Sequence, residues 1–374
     1  MQNSKIPYVD LSAQHLPIKE DLISVFTDVI DQGQFILGTR VEEFEAKFAS
    51  LIGTEFAVGV NSGTDAISLA LRALGIGEDD EVITVPNSFI ATAASIVMTG
   101  ATPVFVDVRD DYNMDPDKIE EVITKSTKAI LPVHLTGRPA DMAEIGRIAK
   151  RYSLLVIEDC AQAVTAKYKE RSVGSFGTAG CFSLHPLKTL NACGDGGVIT
   201  TDDKGLYEEL KVLRNLGLKT RDECVIWSGN SRLDALQASL LSLKMDFIND
   251  WTNSRRKNAT YYRSSLGTIK EVSVPDESEN EYSVYHTFMI RCQDRDGLKL
   301  HLSNNEIDTA VHYPIPIHLQ KVAVHLGYPK GSFPTAERHA KEILSLPIYH
   351  GLTESSMDKV IGSIKEYYGY AKKD

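Results

Sequence analysis

A lysine, an aspartate and two turns of small residues are the parts of this sequence best suited to chemistry. Lys188 sits in Cys181-Phe182-Ser183-Leu184-His185-Pro186-Leu187-Lys188-Thr189-Leu190-Asn191, an apolar stretch closed by Gly194-Asp195-Gly196-Gly197. An amine in such a loop is poorly solvated. Desolvation and a nearby cationic group lower its pKa and make it a usable nucleophile. Snorkelling to the surface is the commoner fate of a lysine, but the glycines and apolar neighbours weigh against it here. Ser183 could add a hydrogen bond to a phosphate. Asp159 lies in Glu158-Asp159-Cys160-Ala161-Gln162-Ala163, directly after an apolar run and 29 residues before Lys188. A carboxylate at a strand end could hold a protonated ring nitrogen, the pairing that keeps the ring of pyridoxal phosphate an electron sink. Taken alone, an aspartate there is more simply a helix N-cap.

Asn61-Ser62-Gly63-Thr64-Asp65 joins an apolar run to a helical one. Small residues at a helix N-terminus let backbone N–H groups approach an anion such as phosphate, and an ordinary capping turn explains them equally well. Gly229-Asn230-Ser231-Arg232-Leu233-Asp234 opens another helix, which Asn230 or Ser231 could simply cap. Neither a P-loop nor a GxGxxG fingerprint occurs. His312, His318 and His325 have no HExxH spacing and no cysteine partner, so no metal site is expected. His134 follows a strand and reads as a hydrogen-bonded structural histidine. Arg40, Arg232, Arg255 and Arg256 could serve anionic groups, although surface ion pairing accounts for them as well.

The elements that must position these residues follow a rhythm. After helices over residues 17–30 and 41–51, the spacing predicts strands at 56–60, 81–85, 102–106, 128–133 and 154–157. Helices at 64–74, 88–98, 116–124 (capped by Asp115) and 141–151 alternate with them. Short apolar runs between amphipathic helices argue for an α/β fold with a mostly parallel sheet covered on both faces. In such sheets ligands sit at the carboxyl ends of the strands, where Gly63, Asp159 and Ser183 fall. The alternation then gives way to strands at 180–183 and 197–201, a helix over 204–215 and a largely helical stretch over 233–266. Last comes a smaller α+β unit, with strand-like runs at 285–292 and 308–312 and helices at 295–304, 335–344 and 355–368. The chain is expected to divide into a large domain, residues 1–245, and a small C-terminal domain, residues 246–374.

A length of 374 residues suits two such domains. The net charge of −11 disfavours nucleic acid or an anionic membrane as main partner. Five cysteines without CxxC spacing suggest free thiols in a reducing compartment. The first ten residues lack the pattern of a secretory leader, and no run is long enough for a membrane helix, so a cytoplasmic location is expected.

In their order, these segments make the sequence resemble the sugar aminotransferases of the DegT–DnrJ–StrS group, within the fold-type-I, aspartate-aminotransferase-like superfamily that uses pyridoxal 5'-phosphate. The resemblance runs from Gln34-Phe35-Ile36-Leu37-Gly38 through the Gly63 turn, Pro86-Asn87-Ser88-Phe89-Ile90-Ala91-Thr92-Ala93, the Asp159 and Lys188 segments and Asn230-Ser231-Arg232-Leu233-Asp234. It ends with His312-Tyr313-Pro314-Ile315-Pro316-Ile317-His318-Leu319-Gln320.

It implies that Lys188 carries the cofactor and shuttles a proton, and that Asp159 partners the pyridine nitrogen. Gln162 would lie near the ring hydroxyl and Phe89 on the ring face. Gly63, Thr64 and Ser183 would cradle the phosphate. Asn230 would reach the phosphate of a second subunit, which implies a homodimer with shared sites. Phe35, His185, Tyr313 and His318 are the candidate substrate contacts. The activity implied is transfer of an amino group from L-glutamate to a keto-sugar acceptor for surface polysaccharide or secondary metabolites. A nucleotide-linked 3-keto sugar is favoured over a 4-keto one, with an eight-carbon acid sugar as alternative. A sugar dehydratase of the same fold is disfavoured, because those relatives carry histidine where Lys188 stands. A non-catalytic, cofactor-binding regulator is the rival from another class.

Overall fold

The computed structural model describes residues 5–370. Residues 1–4, part of the stretch read above for a leader, lie outside it, as do 371–374. Strands β1 (Phe56–Val60), β2 (Glu81–Thr84), β3 (Thr102–Phe105), β4 (Thr127–Ile130), β5 (Leu155–Asp159), β6 (Ala179–Ser183) and β7 (Gly197–Thr201) form one sheet, in the order β1-β7-β6-β5-β4-β2-β3. Strands β3, β2, β4, β5 and β6 pair in parallel. Strand β7 runs antiparallel to both β6 and β1, so β1 points the same way as the parallel set. Val58, Val60, Val82, Ile83, Ala129, Ile130, Ile157 and Phe182 are wholly buried. Unbroken apolar strands of this kind need both faces covered. The helix Gly63–Ala73 lies on one side through Ala66, Leu69, Ala70 and Leu71. On the other side Phe44 and Phe48, from the helix Thr39–Ile52, pack with Phe182 and with Ala238 and Leu241 of the helix Ala235–Met245.

A second, antiparallel sheet joins β8 (Val272–Ser273), β9 (Phe288–Cys292) and β10 (Ile343–Leu346). Its core holds Tyr262, Phe288, Leu302, Leu344, Val360 and Ile364. The division proposed at residue 246 falls just before the helix Ile248–Leu266. That helix begins among the first unit's apolar residues, with Ile248 and Trp251, and ends among the second's, with Tyr262 and Leu266. Ile6 forms a parallel bridge with Ile307 and joins the second core from the other end of the chain.

Three expectations are corrected. Residues 116–124 are not an α-helix but two 3-10 turns, Pro116–Lys118 and Glu120–Val122. Asp115 caps the first by accepting from the Asp117 N–H, and Ile123 is already extended toward β4, which leaves room for no further turn. The helix expected over 335–344 stops at Glu342, and Ile343–Leu346 is strand, since its apolar residues complete the ladder Phe288↔Leu346 to Arg291↔Ile343. Residues 308–312 form no strand beyond a single bridge, Ala310↔Ser345. All five cysteines are unpaired. Among the described residues no helix is long and apolar enough to cross a membrane.

Candidate active site

Because β1, β2, β4, β5 and β6 run the same way, their carboxyl ends share one edge of the sheet. A cavity of about 350 Å³ opens there. Gly63, Thr64, Phe89, Asp159, Gln162, Ser183, His185, Lys188 and Tyr313 all line it.

Ser62 is the N-cap of the helix Gly63–Ala73, its hydroxyl accepting from the Asp65 N–H at 3.1 Å. The first N–H groups of a helix have no partner within it, which leaves those of Gly63 and Thr64 for an anion. Ser183, at the end of β6, sits against this turn so closely that a Cβ on Gly63 would come within 2.6 Å of the Ser183 Cβ. A Cβ on Gly197, opening β7, would meet the Ser62 carbonyl oxygen at 2.3 Å. Glycine at these two positions is therefore a requirement of close approach, which the sequence alone left open.

Asp159 ends β5 with its carboxylate almost fully buried. Its Oδ2 accepts from the Thr92 hydroxyl at 2.8 Å and its Oδ1 from the Ala161 N–H at 3.1 Å. Burial raises its pKa, opposed by those donors and by the positive charge of Lys188. A cation against this carboxylate would keep it ionised. Lys188 has its pKa lowered to about 8 by desolvation, against the pull of Asp159. Gln162 accepts from the Thr136 N–H at 2.7 Å and donates to the Tyr313 hydroxyl at 3.4 Å. The Phe89 and Tyr313 rings lie 5.5 Å apart, tilted by 39°. Phe89 is 54% exposed, a flat face offered to the cavity from the start of the helix Ile90–Val97. Free helix N–H groups with a serine hydroxyl, a buried carboxylate and a deprotonatable amine fit a phosphorylated pyridine aldehyde. His185 is exposed at the rim.

Three expected site residues lie elsewhere. His318 is a correction: its ring is 2% exposed and its Nε2 bonds Glu337 at 3.1 Å, because the 3-10 turn Ile317–Leu319 rotates it inward against Phe333. Phe35 and Asn230 do not line this chain's own cavity. Both are exposed, Phe35 beside the start of the helix Ala235–Met245, where its carbonyl accepts the Ala235 N–H. His134 is structural. Its Nδ1 accepts from the Ala140 N–H, so Nε2 carries the proton and donates to Glu158 at 3.1 Å. Glu158 also accepts from the N–H groups of Gly174, Phe176 and Gly177. His134, Glu158 and Cys160 are close enough to one another to hold a metal, but the histidine and carboxylate are already spent on hydrogen bonds.

The cavity also takes in residues to which the sequence assigned no role. Ser88 and Thr92 share a 2.8 Å hydrogen bond behind Asp159. Tyr8, His286 and His312 form a further wall. Tyr8 arrives through the Ile6↔Ile307 bridge and His286 lies two residues before the strand that opens at Phe288, placements no local pattern announces.

A profile of the DegT/DnrJ/EryC1/StrS aminotransferase family matches residues 17–365. A pleiotropic regulatory protein of Geobacillus stearothermophilus is 44% identical over 97% of this chain and 98% of its own length. The dTDP-3-amino-3,4,6-trideoxy-alpha-D-glucose transaminase of Streptomyces venezuelae is 39% identical over 98% of this chain and 97% of its own. The crystal structure of S. venezuelae DesV in complex with a ketimine intermediate superposes with a TM-score of 0.95, at 39% identity, over 98% of this chain and all of that one.

Proposed function

The chain belongs to the DegT/DnrJ/EryC1/StrS aminotransferase family, and on that premise we propose that it uses pyridoxal phosphate to move an amino group from L-glutamate to a nucleotide-linked 3-keto sugar. Membership makes it a sugar transaminase; the cofactor's place, the donor and the acceptor are the proposal. The observation that carries it is a desolvated amine, Lys188, and a buried carboxylate, Asp159, facing one cavity beside a free helix N-terminus. The acceptor class follows the Streptomyces relative, whose name specifies a 3-amino sugar on dTDP.

When bound, pyridoxal phosphate supplies a carbonyl that joins amines covalently and a ring that withdraws electrons from the attached carbon. The Gly63 and Thr64 N–H groups and the Ser183 hydroxyl would hold its phosphate. Asp159, fixed by Thr92 and Ala161, would hold the ring nitrogen protonated. Phe89 would cover one ring face, and Gln162 would sit at the ring hydroxyl. Lys188 Nζ carries the proton work. With a pKa near the working pH it can accept a proton from the donor's α-carbon and return it across a short path. Tyr313 and His185 stand where an acceptor would enter.

A homodimer is part of the proposal. Asn230 and Phe35 would serve the second subunit's cavity, and Trp227, 90% exposed on the same chain segment as Asn230, calls for a covering surface.

The test is the absorbance of purified protein with pyridoxal phosphate, before and after L-glutamate without sugar. The reading expects the carbonyl-form band to give way to that of the aminated cofactor, and Lys188→Ala to abolish this while staying folded. Full activity in that variant would sink it. A cofactor-binding regulator is the second reading, favoured by the Geobacillus relative's name. A bound cofactor that no amino acid converts would support it.

A further inference from the structure

Part of the cavity wall is built from groups the reaction above leaves idle. Tyr8, His286 and His312 line the cavity together. The Tyr8 and His312 rings are 5.6 Å apart. His312 Nδ1 bonds the Ser345 hydroxyl at 2.9 Å, so Nε2 is the nitrogen left to the cavity. The Tyr8 hydroxyl is buried beside the same serine without a well-formed hydrogen bond of its own. His286 Nδ1 is likewise buried and unpartnered.

Behind them lies Arg255, 4% exposed, whose guanidinium donates to the carbonyl oxygens of Tyr285, His286 and Ile348. Among the described residues no carboxylate lies in ion-pair contact with it. A buried guanidinium balanced only by carbonyl dipoles is costly unless an anion completes it. With Lys188 also nearby, this end of the cavity is positive and rich in donors. Of the two carboxylates that line the cavity, Asp159 and Asp195, Asp159 is already held by Thr92 and Ala161.

We propose that Tyr8, His286 and His312, backed by Arg255, form a carboxylate subsite that receives the amino donor's carboxylate and orients its α-carbon toward Lys188. This rests on the reading of the protein as an aminotransferase with an amino-acid donor. Tyr8 Oη donates, a cavity-facing ring nitrogen donates, and Arg255 contributes field through the backbone it holds. The carboxylate thereby exchanges water for fixed donors inside a positive wall.

The probe is glutarate, a dicarboxylate with no amino group to give, titrated calorimetrically into the holoenzyme. Wild-type protein should bind it saturably. Tyr8→Phe, which deletes one oxygen and keeps the ring against His312, and His286→Leu should each weaken binding about tenfold or more. The same variants should raise the KM for glutamate and leave that for the keto-sugar unchanged, with melting temperature and cofactor absorbance reporting their fold. Unchanged glutarate affinity in both variants, with glutamate still converted, would overturn the subsite and leave the aminotransferase reading intact. A rise confined to the sugar's KM would give these groups to the acceptor and overturn it too. Glutarate bound through these groups by a protein that never takes an amino group from glutamate would instead refute the donor reading and sustain the subsite.

Discussion

Exchanging Asp159 for asparagine should make Lys188 a weaker base. At its native value of about 8, against 10.5 for a solvated lysine, the amine is roughly 10% free at pH 7 and about 300-fold richer in its nucleophilic form. Desolvation causes this depression, and the Asp159 carboxylate opposes it by favouring the ammonium. Asparagine keeps the shape and the contact with Thr92 but removes the opposing charge, so the midpoint must move below 8. The assay is the initial rate at which the apoprotein captures an aromatic aldehyde across pH, followed by stopped-flow absorbance. An aldehyde lacking a ring nitrogen keeps the lost ring contact out of the result. Wild-type rates should rise through a midpoint near 8 and level off, and those of Asp159→Asn should level off at lower pH. A wild-type midpoint near 10 would mean that the lysine is solvated. A midpoint moved upward in the variant would refute the electrostatic argument itself.

Gly63→Ala should weaken cofactor affinity about tenfold or more in a fluorescence titration, because its new Cβ would press on Ser183 at 2.6 Å and push the two sides of the phosphate cradle apart. Glu158→Ala should cost roughly 3–5 kcal/mol in denaturant unfolding, since it strands three N–H groups and His134 in a dry interior. A loss under 1 kcal/mol would contradict the network. Stability should fall between pH 6.5 and 4, by about 1.4 kcal/mol per pH unit for each of His312 and His339. Burial holds both near 4, so across that window the unfolded chain binds protons the folded one refuses; a flat profile from urea melts at pH 7, 6 and 5 would contradict this.

The central sheet and the line of positions along its edge were legible in the sequence, because each parallel strand is a short apolar run and the residue after it is fixed by the turn. That is how Gly63, Asp159 and Ser183 stand out from the strand pattern and Lys188 from its apolar, glycine-flanked loop, whereas Phe89 and Gln162 come only from the family resemblance; all six line one cavity. What was not legible depends on contacts distant in sequence. Tyr8 enters the cavity because Ile6 pairs with Ile307. Ser345, which anchors His312, lies in a strand whose apolar residues read as the end of a helix. His318 is named with Tyr313 from the family resemblance of their shared segment, yet Tyr313 lines the cavity while His318, in a 3-10 turn, is buried on Glu337. Phe35 and Asn230 are exposed and do not line their own cavity.

The bridge between Ile6 and Ile307 bears on how genes for such proteins are read and handled. A reading frame opened ten codons late would keep every recognisable motif, from the glycine turn to the lysine loop, and would still match its relatives over nearly its whole length. It would lack Tyr8 and the short tether that seats it, leaving a breach in the wall of the reaction chamber. An affinity tag on the amino terminus would be tied to the same wall, so the carboxyl terminus is the safer place for a purification handle.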